Sequence, residues 1–152
     1  MRVAFIGTQL GMTPFQKEAL KKHLIEFHCS EFIHGSCIGA DKEANDIAIQ
    51  AGIKIFTIWP SNNSKKRAFC FTELQLKELT VRIKPQFPPL VRNQYIIDSS
   101  DILIAAPKEH SFTLRSGTWA TIRRGWSKIR NDKTYKVIII PPIVAETELE
   151  EV

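Results

Sequence analysis

The chain predicts a doubly wound α/β fold, a mostly parallel five-stranded sheet with helices on both faces. Three observations carry that reading. Short apolar runs alternate with longer amphipathic ones across residues 1–142. The first three runs are each separated by one helical segment, which implies parallel pairing through right-handed crossovers. Glycine together with Ser, Thr, Gln or Asp collects in the loops after strands one, two and four, "GTQLGMT", "HGSCIGAD" and "APKEHSFTLRSGT". Those loops lie at the strand ends where open α/β sheets bind ligands. The opposite turns, such as "QAGIK" and "SKIRNDKTY", are ordinary polar connections.

Residues 2–7, "RVAFIG", form the first strand. The first helix starts with Thr13 as N-cap, Pro14 in the first helical position and Gln16 placed for a capping box. Leu20, Leu24 and Phe27 face inward from it. "EFIHG" is the second strand. In the next helix Ala44, Ile47, Ala48 and Ala51 are apolar, and Gly52 ends it. "IKIFTIW" is the third strand. "PSNNSKKRAF" reads as a basic loop, "TELQLKEL" as a short helix at best and "KPQFPP" as a proline-broken connector. A helix over residues 90–99 leads to strand four, "DILIAAP". Ser116-Gly117-Thr118 then opens a helix whose Trp119, Ile122, Trp126 and Ile129 share one face. "YKVIIIPP" is the fifth strand, and residues 143–152 are expected to be an acidic, flexible tail outside a single domain of 1–142.

Composition narrows the function classes. No apolar run approaches the roughly 20 residues that a membrane span needs. Three cysteines, odd in number and irregular in spacing, suggest reduced thiols and a cytoplasmic setting. The net charge is +5, and the tail holds four glutamates, so the remaining body is more basic still. Such a surface suits an anionic ligand, nucleotide or nucleic acid, or is simply solvated. The P-loop, the G-x-S-x-G elbow and the G-x-G-x-x-G fingerprint are absent from the sequence. His34 and Cys37 have no second pair to complete a zinc site, so no metal is assigned.

The candidate ligand site follows from the loops. Gly7, Thr8 and Gln9 end the first strand. Gly35, Ser36, Gly39 and Ala40 form a small-residue turn able to present backbone N–H groups to a phosphate. Asp41 either caps the following helix or accepts a ribose hydroxyl. Arg92, whose guanidinium can fork onto phosphate oxygens, and Asn93 open the helix before strand four. Ser116, Gly117 and Thr118 offer a second helix N-terminus with two hydroxyls. Lys65, Lys66 and Arg67 fall on the same side as these loops. Arg123, Arg124, Lys128 and Arg130 are expected at the other end, where cations complement a helix C-terminus. Asp101 reads as a turn or cap residue.

"RNQYIIDSSDILIAAP" followed by "SGT" resembles the SLOG superfamily, the Rossmann-like domains of DprA/Smf and of the LOG cytokinin-activating enzymes. Arg92, Asp101 and Pro107 fall in the order of the LOG motif, and Gly117-Thr118 match its G-T. "GSCIGADKEANDIA" is similar to the family's second loop. The nearest resemblance is to small standalone bacterial and phage members, and it covers most of the chain. It implies a nucleotide or nucleotide-derived ligand, such as a signalling nucleotide or an ADP-ribose derivative, and a homodimer. LOG enzymes carry an acidic residue three positions after the G-T threonine, and that position here is Thr121. Glu109 and Asp41 are the carboxylates left to stand in for it in cleaving a glycosidic bond. No catalytic residue is assigned. The expectation is therefore nucleotide binding. The alternatives are a LOG-like nucleotide phosphoribohydrolase and DprA-like binding of single-stranded DNA.

Overall fold

The computed structural model describes residues 1–110 and 116–142. The expected acidic tail lies outside the described residues, as does Arg115. Along the chain run β1 (Arg2–Gly7), α1 (Pro14–Glu26), β2 (Glu31–His34), α2 (Ala40–Gln50), β3 (Ile55–Ile58), α3 (Glu73–Glu78), β4 (Thr80–Ile83), α4 (Pro89–Asp98), β5 (Ile102–Ala106), α5 (Gly117–Asn131) and β6 (Lys136–Ile139). The sheet has six strands in the order β4-β3-β2-β1-β5-β6. Every pairing is parallel.

Six strands rather than five is a correction. The extra one is β4, "TVRI". It follows α3 directly, carries Arg82 and is an edge strand with mostly exposed side chains. An exposed four-residue edge has neither the apolar run nor the bounding turn that marks a strand in sequence. Its place is held by pairing with β3 and by an Arg82–Glu31 ion pair at 2.7 Å.

Alternation along β1 divides the core. Val3 and Phe5 face one layer with Leu20, Leu24, Ala44, Ala48, Phe32 and Phe56. Ala4 and Ile6 face the other, with Ile96, Ile97, Trp119, Ile122 and Tyr135. Thus α1 and α2 cover one face and α4 and α5 the other. The Thr13–Gln16 capping box forms, with Pro14 at the first helical position. Gln16 does more than cap: its buried Nε2 donates to the carbonyls of Pro107 at 2.8 Å and Ile140 at 3.0 Å. That anchors α1 to the segments leaving β5 and β6. At the opposite end Asp101 forms an ion pair with Arg2 at 3.1 Å and accepts the Arg2 backbone N–H. Because β1 departs one way to β2 and β5 the other way to β6, the sheet's switch point lies between the carboxyl ends of β1 and β5.

Candidate functional site

At that switch point a cavity of about 410 Å³ opens. Its size falls in the range of small-molecule sites, roughly 300–1,000 Å³. Gly7, Thr8 and Gln9 line it from β1. Asp41 lines it from α2, Arg92 and Asn93 from α4, and Ser116, Gly117 and Thr118 from α5. Segments far apart in sequence therefore meet as the strand-end rule anticipates.

Gly35, Ser36, Gly39 and Ala40 do not line the cavity; they build its support. The Ser36 N–H donates to His34 Nδ1 at 2.9 Å and the Cys37 N–H to Asp41 Oδ2 at 3.1 Å. The Ile38 N–H goes to the Lys66 carbonyl and the Ala40 N–H to that of Thr8. These four amides are committed inside the protein and are not open to a phosphate. Ser36 adopts φ +54°, and its hydroxyl donates to the Ala68 carbonyl. Gly39, at φ +85°, lies so close to the β1–α1 loop that a Cβ there would fall 2.2 Å from the Gln9 carbonyl oxygen. Bare backbone in this stretch makes room for the neighbouring loop.

Asp41 does not cap α2. The helix begins at Ala40 with Gly39 as N-cap and no side-chain cap bond. The carboxylate turns back to the Cys37 N–H through Oδ2, and its buried Oδ1 has no partner among the described residues. Sequence could not separate the two uses, since an Asp one residue later still falls in the first turn.

Arg92 is 5% exposed. Its Nη1 donates to the Gly35 carbonyl at 3.2 Å and to that of Trp59 at 3.5 Å. Nη1 and Nη2 each lie 3.4 Å from Cys37 Sγ. Nε donates to the Pro89 carbonyl. A two-pronged grip on a phosphate is therefore not preset. One Nη2 hydrogen remains for a ligand, and the rest of the guanidinium ties α4 to the β2–α2 turn.

Ser116 caps α5, its Oγ accepting the Trp119 N–H at 3.2 Å. The first two helical amides, those of Gly117 and Thr118, have no carbonyl partner within the helix. A Cβ on Gly117 would meet nothing within 4 Å. Thr121, at the position of the LOG acid, is fully buried and outside the cavity lining. It accepts from Asn93 Nδ2 at 2.8 Å and donates to the Gly117 carbonyl at 3.0 Å.

Other residues join the lining. Lys66 does so, on the side expected of the basic loop, with Cys37, Leu90, Lys108 and Glu109. Lys108-Glu109 directly follow strand "DILIAAP", so the strand-end rule applied residue by residue would have reached them. Leu90 carries no sequence signal. Burial pushes the Cys37 thiol up, aided by the nearby Asp41 charge. Burial lowers the His34 pKa, and both its ring nitrogens are engaged, Nδ1 by Ser36 and Nε2 by Asn45 at 2.7 Å. The basic helix residues are not confined to the far end as expected. Lys128 is there, donating to the Ile97 carbonyl, but Arg124 donates to the Leu90 carbonyl beside the cavity.

No family model matches the chain, and no curated protein does. Among solved structures, DNA processing protein A (DprA) from Streptococcus pneumoniae is similar over 99% of this chain, at 17% identity and a TM-score of 0.62. The chain spans 56% of that DprA chain. The structure of TM1055 aligns over the whole of both chains at 13% identity and a TM-score of 0.49. The fold is thus a Rossmann-type α/β sheet similar to the one in that DprA structure.

Proposed function

We propose that the chain binds a nucleotide or nucleotide-derived small molecule in the cavity between β1, α4 and α5. The observation that supports this most is the position of the cavity at the switch point, walled on one side by the open N-terminus of α5. There the Gly117 and Thr118 amides, the Ser116 and Thr118 hydroxyls and the cations of Lys66 and Lys108 suit a phosphate. The site with Asp41 and Glu109 also holds carboxylates, which a phosphate avoids, so the ligand needs a non-phosphate part as well. Binding without turnover is the reading favoured by Thr121, because the position of the LOG acid holds a buried hydroxyl already bonded within α5.

DprA, a DNA processing protein by name, suggests single-stranded DNA as an alternative ligand. A cavity walled on several sides suits a small molecule better than a continuous strand. A homodimer is proposed on the exposure of Trp126, which is 40% accessible beside the buried Trp119. Large aromatics left open on a helix favour subunit contacts.

The test is mass spectrometry of small molecules released from the purified protein, with a thermal-shift panel of nucleotides. A bound nucleotide and a matching rise in melting temperature are expected. Stabilisation by oligonucleotides alone, falling steeply with salt, would replace this reading by the DNA one.

A further inference from the structure

Two leucines stand open on the wall of the cavity. Leu10, from the β1–α1 loop, is 75% exposed, and Leu90, from the first turn of α4, is 48% exposed. Single exposed leucines are common on protein surfaces. These two differ in lining one cavity and in being held there by fixed backbone. The Leu10 N–H donates to Thr8 Oγ1 at 3.2 Å, and the Thr8 carbonyl accepts the N–H groups of Gly11 and Ala40. Further along the same loop the Met12 N–H donates to Glu43 Oε1 at 2.6 Å. The Leu90 carbonyl accepts from Arg124 Nη1 at 2.8 Å.

The β2–α2 turn ties the two leucines to one place. At its start, Arg92 of the first α4 turn donates to the Gly35 carbonyl at 3.2 Å. At its end, Gly39 packs on the residue before Leu10, where a Cβ would fall 2.2 Å from the Gln9 carbonyl oxygen. Leu90 also shares a face of α4 with Asn93, one turn or about 5 Å further along the axis. Asn93 Nδ2 donates to Thr121 Oγ1 at 2.8 Å, and that hydroxyl donates to the carbonyl of Gly117, the first residue of α5. The leucines therefore stand near the α5 terminus proposed for phosphate, and Pro89 extends the apolar wall. Phosphate and ribose gain nothing from hydrocarbon. The flat base does, because its faces carry no hydrogen-bonding groups and covering them removes apolar surface from water. Resting on the nucleotide reading above, we infer that Leu10 and Leu90 form an apolar clamp for the base, so that the site prefers two-ring purines, which cover more of both side chains, to pyrimidines.

The experiment is isothermal titration calorimetry of the full chain with AMP, GMP, CMP, UMP and ribose 5-phosphate, repeated on Leu10→Ala and Leu90→Ala. Both side chains are open, so the variants should melt with the wild type. The purine nucleotides are expected to bind about 3- to 10-fold tighter than the pyrimidines, and at least about 10-fold tighter than ribose 5-phosphate. Each substitution should weaken AMP by about 5- to 20-fold and bring the purine-to-pyrimidine ratio toward one, with ribose 5-phosphate unchanged. Equal binding of AMP and ribose 5-phosphate overturns the clamp and leaves nucleotide binding intact. So does the lack of a purine preference, or one that follows the amino groups of the base instead of its size. A preference that both variants keep, or a loss as large for ribose 5-phosphate as for AMP, overturns it too. Failure of all five compounds to bind overturns the nucleotide reading itself and the inference with it.

Discussion

Arg92 lies directly over Gly35: its Nη1 donates to the Gly35 carbonyl at 3.2 Å, and a Cβ at position 35 would fall 1.7 Å from that nitrogen. A single methyl at 35 therefore displaces the guanidinium that joins α4 to the β2–α2 turn. Gly35→Ala is expected to destabilise the protein by about 1–3 kcal/mol, as overpacking does. Urea denaturation measures it, and a variant as stable as wild type would show that Arg92 can move aside freely.

Arg92→Ala removes bonds to the Gly35 and Trp59 carbonyls and to Cys37 Sγ at once. The expected cost is about 2–4 kcal/mol of folding stability, since charged donors are lost and buried carbonyls are left unpaired. Denaturation with and without nucleotide separates this from a direct ligand contact. A loss of affinity with unchanged stability would mean that the guanidinium serves the ligand and not the scaffold.

Gly117→Val places a branched side chain in open space at the start of α5. Folding should be nearly unaffected, within about 0.5 kcal/mol, as for substitutions that touch no packed group. Stabilisation by nucleotides should disappear, because the side chain occupies the ground in front of the first helical amides. Thermal shift on both proteins decides it. Equal stabilisation would remove the α5 terminus from the site.

His34 is buried with its pKa held below the ordinary 6.5, chiefly by loss of water around the ring. The folded protein therefore keeps the ring neutral while the unfolded chain takes up a proton. Stability from this residue is complete above 6.5 and is lost as pH falls from there through the lowered folded value, by at most about 1.4 kcal/mol per pH unit. Protonation at Nδ1 would also expel the Ser36 N–H. Denaturation across the acid range should show the fall, and a His34→Gln variant should show a flatter profile. Identical pH profiles for the two proteins would count against the assignment.

Trp126→Glu tests assembly. The residue is half open to solvent, so circular dichroism should remain that of the wild type. On the dimer proposal, light scattering should report a monomer for the variant. A symmetric interface uses the patch twice, so one substitution acts on both sides. A wild-type chain that is monomeric at high micromolar concentration would end the dimer proposal.

The sequence by itself determined the layers, the starts of α1 and α5 and the end of the sheet that carries the cavity. Apolar periodicity, the Thr13–Gln16 box and the glycines of the strand-end loops are local signals, written within a few residues. That is why Gly7–Gln9 and Ser116–Thr118, which line the cavity, could be brought together before any contact was known. Tertiary structure decided the rest. Edge strand β4 exists because β3 offers it a partner, and its own four residues do not announce it. The Gly35–Gly39 turn looks like a phosphate cradle in sequence. Only the approach of Thr8, Gln9, Lys66 and Arg92, from three distant segments, shows that the Ile38 and Ala40 amides are committed and that Gly35 and Gly39 make room for neighbours. Asp41 and Asn93 read as a cap and a neighbour of an arginine. Their unpaired oxygens emerge only when hydrogen bonds across 4 and 28 residues are followed to Cys37 and Thr121. Propensity and patterning act along the chain, whereas which donor finds which acceptor depends on how the chain packs.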